Sequence, residues 1–230
     1  MKYKSEVYTQ ASGSIGGITY SHNRGGLYTR ARAIPTNPNS VFQQAIRSAM
    51  GNLTSRWNNI LTAAQRAAWD YYADQVNLTD KLGDQRNSGG VGMYIRSNVP
   101  RIQAALAVVD DGPTNYNVGE YTEPIIGVIS SGGGTLSLAF TPADEWANED
   151  GAALLVGISR GVNPSRNYFK GPYRFAGMIE GDAITPPSSP DSLTLPFAVA
   201  VDQKVFVKVN ISRVDGRYSY TFRGFGVVAA

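Results

Sequence analysis

The sequence predicts an α+β chain that is mainly β. Three observations carry that class: a glycine-punctuated run of β-type residues near the start, helical periodicity from residue 40, and short strands at regular spacing from residue 124.

Residues 1–39 read as an extended assembly arm with a β-hairpin. Within Ser12–Arg32, β-type residues lie on both sides of a turn that includes His22, and glycine recurs where the backbone must bend. The few apolar side chains cannot close a core, and an isolated hairpin is marginal in water. The arm is therefore expected to rest on another surface, in its own chain or in a neighbouring subunit. On a strand, Arg30 and Arg32 share a face, with Tyr20 and Tyr28 expected near them across the hairpin. Together with Arg24 these residues form the candidate assembly interface, since Arg–carboxylate pairing and aromatic stacking are common between proteins. The same residues also fit a plain solvated hairpin face. Pro35 and Pro38 then force an extended path.

Residues 40–109 read as a helical segment. Ser40 with Gln43 makes a capping-box pattern, followed by a stripe through Phe42, Ala45, Ile46, Ala49, Met50, Leu53, Trp57 and Ile60. A second box, Thr62 with Gln65, opens a helix carrying Ala68, Trp69, Tyr72, Ala73 and Val76. Core packing between these helices is the expected role of Trp57 and Trp69. Asn77–Gly92 is polar and glycine-rich, hence a loop. Helical spacing resumes at Gly92, and Pro100 is expected to end or kink that element, with a further turn or two over 101–107.

Residues 110–123 read as a linker, because acidic residues, Gly112 and Pro113 cluster there. Seven strands follow in 124–230: Ile125–Ile129, Thr135–Thr141, Ala152–Ser159, Tyr173–Ile179, Leu193–Phe197, Lys204–Arg213 and Arg217–Val227. The sixth alternates, with Val205, Val207, Val209 and Ile211 on one face. Asp215-Gly216 is a strong hairpin signal. Seven short strands with turn clusters between them predict an immunoglobulin or fibronectin type III-like β-sandwich. The lack of cysteine favours the fibronectin-like variant.

Composition narrows the function. Among 230 residues there is no cysteine and one histidine, His22, so disulfides, thiolate chemistry and a His-based metal cluster within one chain are excluded. A Ser-His-Asp triad would have to use the turn histidine. No apolar stretch reaches the roughly 20 residues that span a bilayer, and no signal-peptide segment opens the chain. The expectation is a chain kept in the cytoplasm unless an assembly carries it out. The net charge of +3 conceals a +7 front half (1–108) and a −4 back half (109–230). That asymmetry suits contacts between subunits. Nucleic acid is not expected as a partner, since no run of Lys or Arg exceeds two residues and no recognition motif is present.

Catalytic motifs are weak. Asp144, Glu145, Glu149 and Asp150 lie in one polar loop, where a solvated turn is expected before an acid–base pair or a calcium site. Gly132-Gly133-Gly134 lacks the Lys-Ser/Thr of a phosphate loop and reads as a turn. No enzyme, cofactor or metal is expected.

A resemblance adds to this. The pattern Gly13, Gly16-Gly17, Tyr20, Arg24-Gly25, Arg30, Arg32, Pro35, Asn37-Pro38, Gln43, Gln44 and Arg47 resembles the start of structural proteins of tailed phages and prophages. Trp57, Leu61-Thr62, Gln65-Arg66, Trp69, Tyr72-Ala73, Tyr94, Arg96 and Asn98 continue it. A similar layout, with a terminal strand like Asp215–Ser219, occurs in a family of Bacteroidota proteins. The resemblance covers most of 12–107 and the sandwich only loosely, and it carries no activity over to particular residues. It implies a virion component whose partners are capsid or other virion proteins and copies of itself. Capsid decoration is the first expectation, and a tail, neck or baseplate position the alternative. A glycan-binding module remains a third reading, with Tyr168, Phe169, Tyr173 and Trp146 as residues that could stack on host-surface sugars.

Overall fold

A computed structural model describes residues 11–23, 26–79, 85–119 and 121–230. The chain is mixed α and β, mainly β, and divides into two compact units, 1–41 and 42–230.

The first unit is a small antiparallel sheet of β1 (Gly13–Ile15), β2 (Ile18–Asn23) and β3 (Gly26–Ala31) in that order. Gly16, at φ 56°, supplies the left-handed residue of the tight β1–β2 turn. β2 and β3 pair from Ile18↔Ala31 to Asn23↔Gly26, and the Arg32 amide closes the sheet on the Gly17 carbonyl at 2.8 Å. His22 lies in β2 rather than in a turn.

The second unit opens with α1 (Val41–Asn59) and α2 (Ala63–Gln75). The Thr62–Gln65 capping box forms in full: the Gln65 amide donates to Thr62 Oγ1 at 3.2 Å, and the Thr62 amide to Gln65 Oε1 at 2.9 Å. After two-residue strands β4 (Leu78–Thr79) and β5 (Gln85–Arg86) comes α3 (Gly89–Gln103). This helix starts inside the stretch expected as loop and runs through Pro100. Arg101 holds its last turn by donating from Nε to the Ala107 carbonyl at 2.7 Å, and Ala105 ends it at φ 58°. Leu53, Leu61, Trp69, Tyr72, Met93 and Tyr94 make the helical core. Trp69 is fully buried, whereas Trp57 is half-buried and packs on the rim against Tyr94 with ring centroids 5.6 Å apart. The rest of the α1 stripe is less covered than expected, since Phe42, Met50 and Ile60 are exposed.

The stretch expected as a linker is knitted into this core at its start. The Asp110 carboxylate accepts Arg56 Nε at 2.7 Å, Arg56 Nη2 at 2.5 Å and the Tyr94 hydroxyl at 2.9 Å. Its carbonyl accepts Trp69 Nε1 at 2.9 Å. Helices and strands consequently belong to one unit.

Seven strands follow: β6 (Ile125–Ser130), β7 (Thr135–Ala139), β8 (Ala153–Ile158), β9 (Arg174–Glu180), β10 (Asp191–Thr194), β11 (Lys204–Ser212) and β12 (Phe222–Ala229). They hydrogen-bond in the order β10-β7-β6-β12-β11-β8-β9, and the outermost strands β10 and β9 approach each other, so the sheet nearly closes. All pairs are antiparallel except β12–β6, a short parallel seam at Val228↔Ile129 and Ala229↔Ser130. Gly224 and Gly226 leave room there for the Ile126 and Ile129 side chains. A Cβ at either would lie 2.5 Å from Ile126 Cδ1 or 2.8 Å from Ile129 Cδ1. The inner faces bury one core that includes Ile129, Leu138, Trp146, Val156, Val207 and Ile211.

One sequence expectation shifts here. The Asp215-Gly216 turn forms, with Gly216 at φ 91°. The final strand nevertheless starts at Phe222 rather than Arg217, because the Ile211 amide is taken by Ser219 Oγ at 2.8 Å and the ladder is interrupted. The outer face of β11 is also covered. Phe206, Asn210 and Ser212 are buried, and Arg101 reaches from α3 to Ser212 Oγ at 3.1 Å and to the Arg213 carbonyl at 2.9 Å.

Candidate interaction site

The register of the first unit sorts the predicted assembly residues onto two faces. Ile15, Ile18 and Tyr20 lie with Leu27, Thr29 and Ala31 on one face, and Ser14, Thr19, Ser21, Tyr28 and Arg30 on the other. Arg30 and Tyr28 therefore share a face, and Arg32 follows Arg30 by the same alternation. Tyr20 faces away from them, which corrects the expectation that both tyrosines flank the arginines. A one-residue offset across an antiparallel pair reverses the face, and pairing sets that offset. Arg24 lies outside the described residues. The polar face is bound by Ser14 Oγ and Thr19 Oγ1 at 2.7 Å. On the apolar face Ile15 is 78% and Ile18 46% exposed, while Tyr20, Leu27 and Thr29 are half-buried.

The acidic loop is structural. Glu145 and Glu149 both pair with Arg213, Glu145 at 2.8 Å, and Arg213 Nη1 also donates to the Val118 carbonyl at 2.7 Å. The Arg213 guanidinium holds the Glu145 carboxyl below its ordinary range. Asp144 accepts the Thr122 amide at 3.0 Å, and Asp150 the Ala183 amide at 2.8 Å. The loop is thus an ion-paired brace rather than a solvated turn. Among the described residues no group of three His, Asp or Glu side chains could hold a metal ion. No helix among them is long and apolar enough to cross a membrane.

Of the candidate sugar-stacking residues, Trp146 is removed. It sits in the core against Phe140 at 5.2 Å and is buried. Tyr168, Phe169 and Tyr173 do gather with Phe225 and Arg223 around a small cleft of about 150 Å³ on the outer face of the sheet.

Next to it, and sharing Tyr173, lies a larger cleft of about 400 Å³ that the sequence did not mark. Phe42 and Ile46 of α1, Pro100 of α3, and Phe175, Lys208 and Tyr218 of the β region are among its walls. Arg47 and Arg174 line it too, and the Arg174 guanidinium lies 4.8 Å from the Phe42 ring centre. Arg96 is stacked on Tyr218 at 5.0 Å and donates to the Tyr218 and Ser219 carbonyls at 3.2 and 3.3 Å. Burial pushes the Tyr218 hydroxyl up to about 12. The Lys208 ammonium is held below its ordinary value by burial, with Arg223 and Arg96 adding repulsion. Strand alternation alone marks Lys208 as outward-pointing. Its surroundings come from α1 and α3, which no local pattern places over the sheet.

No protein-family model matches the chain, and neither does any curated protein or any solved structure.

Proposed function

We propose that the chain is a structural component of a tailed-phage virion that docks through its N-terminal arm, most simply as a capsid decoration or stabilisation protein. The observation that carries this reading is the arm's amphipathic three-stranded sheet, whose apolar face is largely exposed at Ile15 and Ile18. Three short strands with that much open apolar surface gain most of their stability from burial against another surface. The resemblance of residues 12–107 to structural proteins of tailed phages supports the same reading. The β region supports a reading as an immunoglobulin or fibronectin type III-like sandwich. A three-stranded half, β10-β7-β6, and a four-stranded half, β12-β11-β8-β9, meet in a seam of two residue pairs and enclose one core.

Deleting residues 1–39 is expected to abolish incorporation into particles while circular dichroism still reports a folded β region. Ile18→Asp should reproduce most of that loss. Arg30→Ala with Arg32→Ala should weaken incorporation chiefly at low salt, since exposed charges are screened over about 8–10 Å near physiological ionic strength. Normal incorporation of the deleted chain overturns the reading. Electron microscopy of labelled particles separates head from tail, neck or baseplate. The glycan-binding alternative keeps the aromatic cleft around Tyr168 and Phe225, and a glycan array tests it.

A further inference from the structure

We propose that the cleft between α1, α3 and the outer face of the sheet is a docking site for an acidic peptide segment of a partner protein, with a carboxylate meeting Lys208 and an apolar or aromatic side chain meeting Phe42, Phe175 and Tyr218. The inference rests on the assembly reading for its choice of a protein partner.

Lys208 is the main argument. It stands directly opposite Arg223 in the β11–β12 ladder, and like charges placed that way destabilise a sheet. Its ammonium makes no hydrogen bond or ion pair among the described residues, and no carboxylate lines the cleft. A half-buried lysine beside Arg223, with Arg96 adding to the repulsion, has no opposite charge among the described residues to offset that cost. Sites of that kind, where the fold tolerates unfavourable charge, are where function is expected.

The cleft also has room for a ligand over that charge. Gly157 is the β8 partner of Lys208, so no side chain shields the ammonium from that flank. A Cβ built on Gly157 would approach nothing closer than 3.5 Å, so the glycine is not required by packing. Around this floor the walls are apolar and aromatic, through Phe42, Ile46, Phe175 and Tyr218. One anionic group at depth with an apolar body beside it is the pattern of an acidic side chain flanked by a hydrophobic one. Single-stranded nucleic acid would need cations tracking successive phosphates along a groove. Here the cations surround one cleft instead.

The test uses the full chain and an immobilised array of short peptides, each with two carboxylate residues and one phenylalanine at varied spacing. A matched array carries the corresponding amides, and oligothymidine of similar length is the nucleic-acid probe. Wild type is expected to bind a subset of the acidic peptides and not their amide counterparts. Lys208→Met should lose at least about tenfold in affinity, the size of effect seen when one partner of a desolvated charge pair is removed. Gly157→Val, which fills the floor without touching charge, should lose binding as well, and thermal melts establish that each variant is folded. If Gly157→Val does not fold, Lys208→Met alone decides. Equal binding of acids and amides, binding unmoved by Lys208→Met, or tighter binding of oligothymidine than of any peptide overturns the proposal. The array reads this cleft and particle incorporation reads the arm, so the two readings fail separately.

Discussion

Asp110 accepts two hydrogen bonds from Arg56 and one from Tyr94 through its carboxylate, and a fourth from Trp69 through its carbonyl. The Arg56 bonds hold its carboxyl below the ordinary value, with the Tyr94 hydroxyl adding to this against the effect of burial. A carboxyl depressed in the folded state stabilises above its unfolded pKa, about 3.9, and that contribution is lost as pH falls through the folded value. Asp110→Asn is expected to cost roughly 1–3 kcal/mol at neutral pH. The lower part of that range applies because the Arg56 side chain is 36% exposed and its pairing is screened by water. Urea titrations should show the gap between mutant and wild type closing below about pH 4. A gap that stays constant to acid would assign the cost to shape rather than charge.

Helices α1 and α2 each present one tryptophan to the same core, with different consequences. Trp69 is fully buried, contacts Tyr72 and Tyr94 edge-on at 5.7 and 5.5 Å, and donates to Asp110. Trp69→Ala should therefore cost roughly 3–5 kcal/mol in chemical denaturation. Trp57 is half-buried at the rim, and its removal should cost less, about 1–2 kcal/mol. Equal costs would mean that Trp57 is covered in solution by something that the chain itself does not supply. The α1 stripe explains the contrast. Its buried positions, Ala49 and Leu53, lie in the middle of the helix, while Phe42 and Ile60 at the ends remain exposed.

Across residues 42–230, the buried Arg101 guanidinium joins the helices to the β region, beside the contacts that Arg96 makes with Tyr218 and Ser219. Arg101 is 2% exposed and donates to the Ala107, Gly151 and Arg213 carbonyls and to Ser212 Oγ, so it ties α3 to the end of the β8–β11 ladder where Ala153 pairs with Ser212. Burial lowers its pKa, but an arginine remains charged, and the carbonyls take the place of a carboxylate. Arg101→Leu leaves those carbonyls unpaired and should cost roughly 2–4 kcal/mol. Hydrogen exchange is the sharper measurement. Amides of α3 should lose protection while those of β8 and β11 keep theirs, since the core under the sheet does not depend on Arg101. Uniform loss across both regions would show that helices and sheet open only together.

Much of this architecture was legible along the chain. Short β-type runs spaced between turn clusters located five of the seven strands to within two residues at each end, while the fifth run overlaps β10 only at Leu193–Thr194 and the last begins five residues before β12. The Thr62–Gln65 box located a helix start because it satisfies backbone groups within one turn. The predicted arm forms β structure for a similar local reason, with glycine at its first turn. What failed were the features fixed by distant neighbours. Pro100 stays inside α3, where the next residue, Arg101, anchors the last turn to carbonyls outside the helix at Ala107, Gly151 and Arg213. Asp110 reads as linker in sequence, yet its half-buried carboxylate links the helices, since Arg56 and Tyr94 are brought to it from α1 and α3. Tyr20 and Arg30 part onto opposite faces once pairing sets the register, and Trp146 turns inward, which removes it from the alternative glycan-binding reading. Lys208 shows the same division most plainly. The sequence determined that it points outward from β11, and only the tertiary structure decided what lies there. Local rules act through hydrogen bonds and sterics within a few residues, whereas the charge and apolar surface facing a side chain come from segments brought across it by folding.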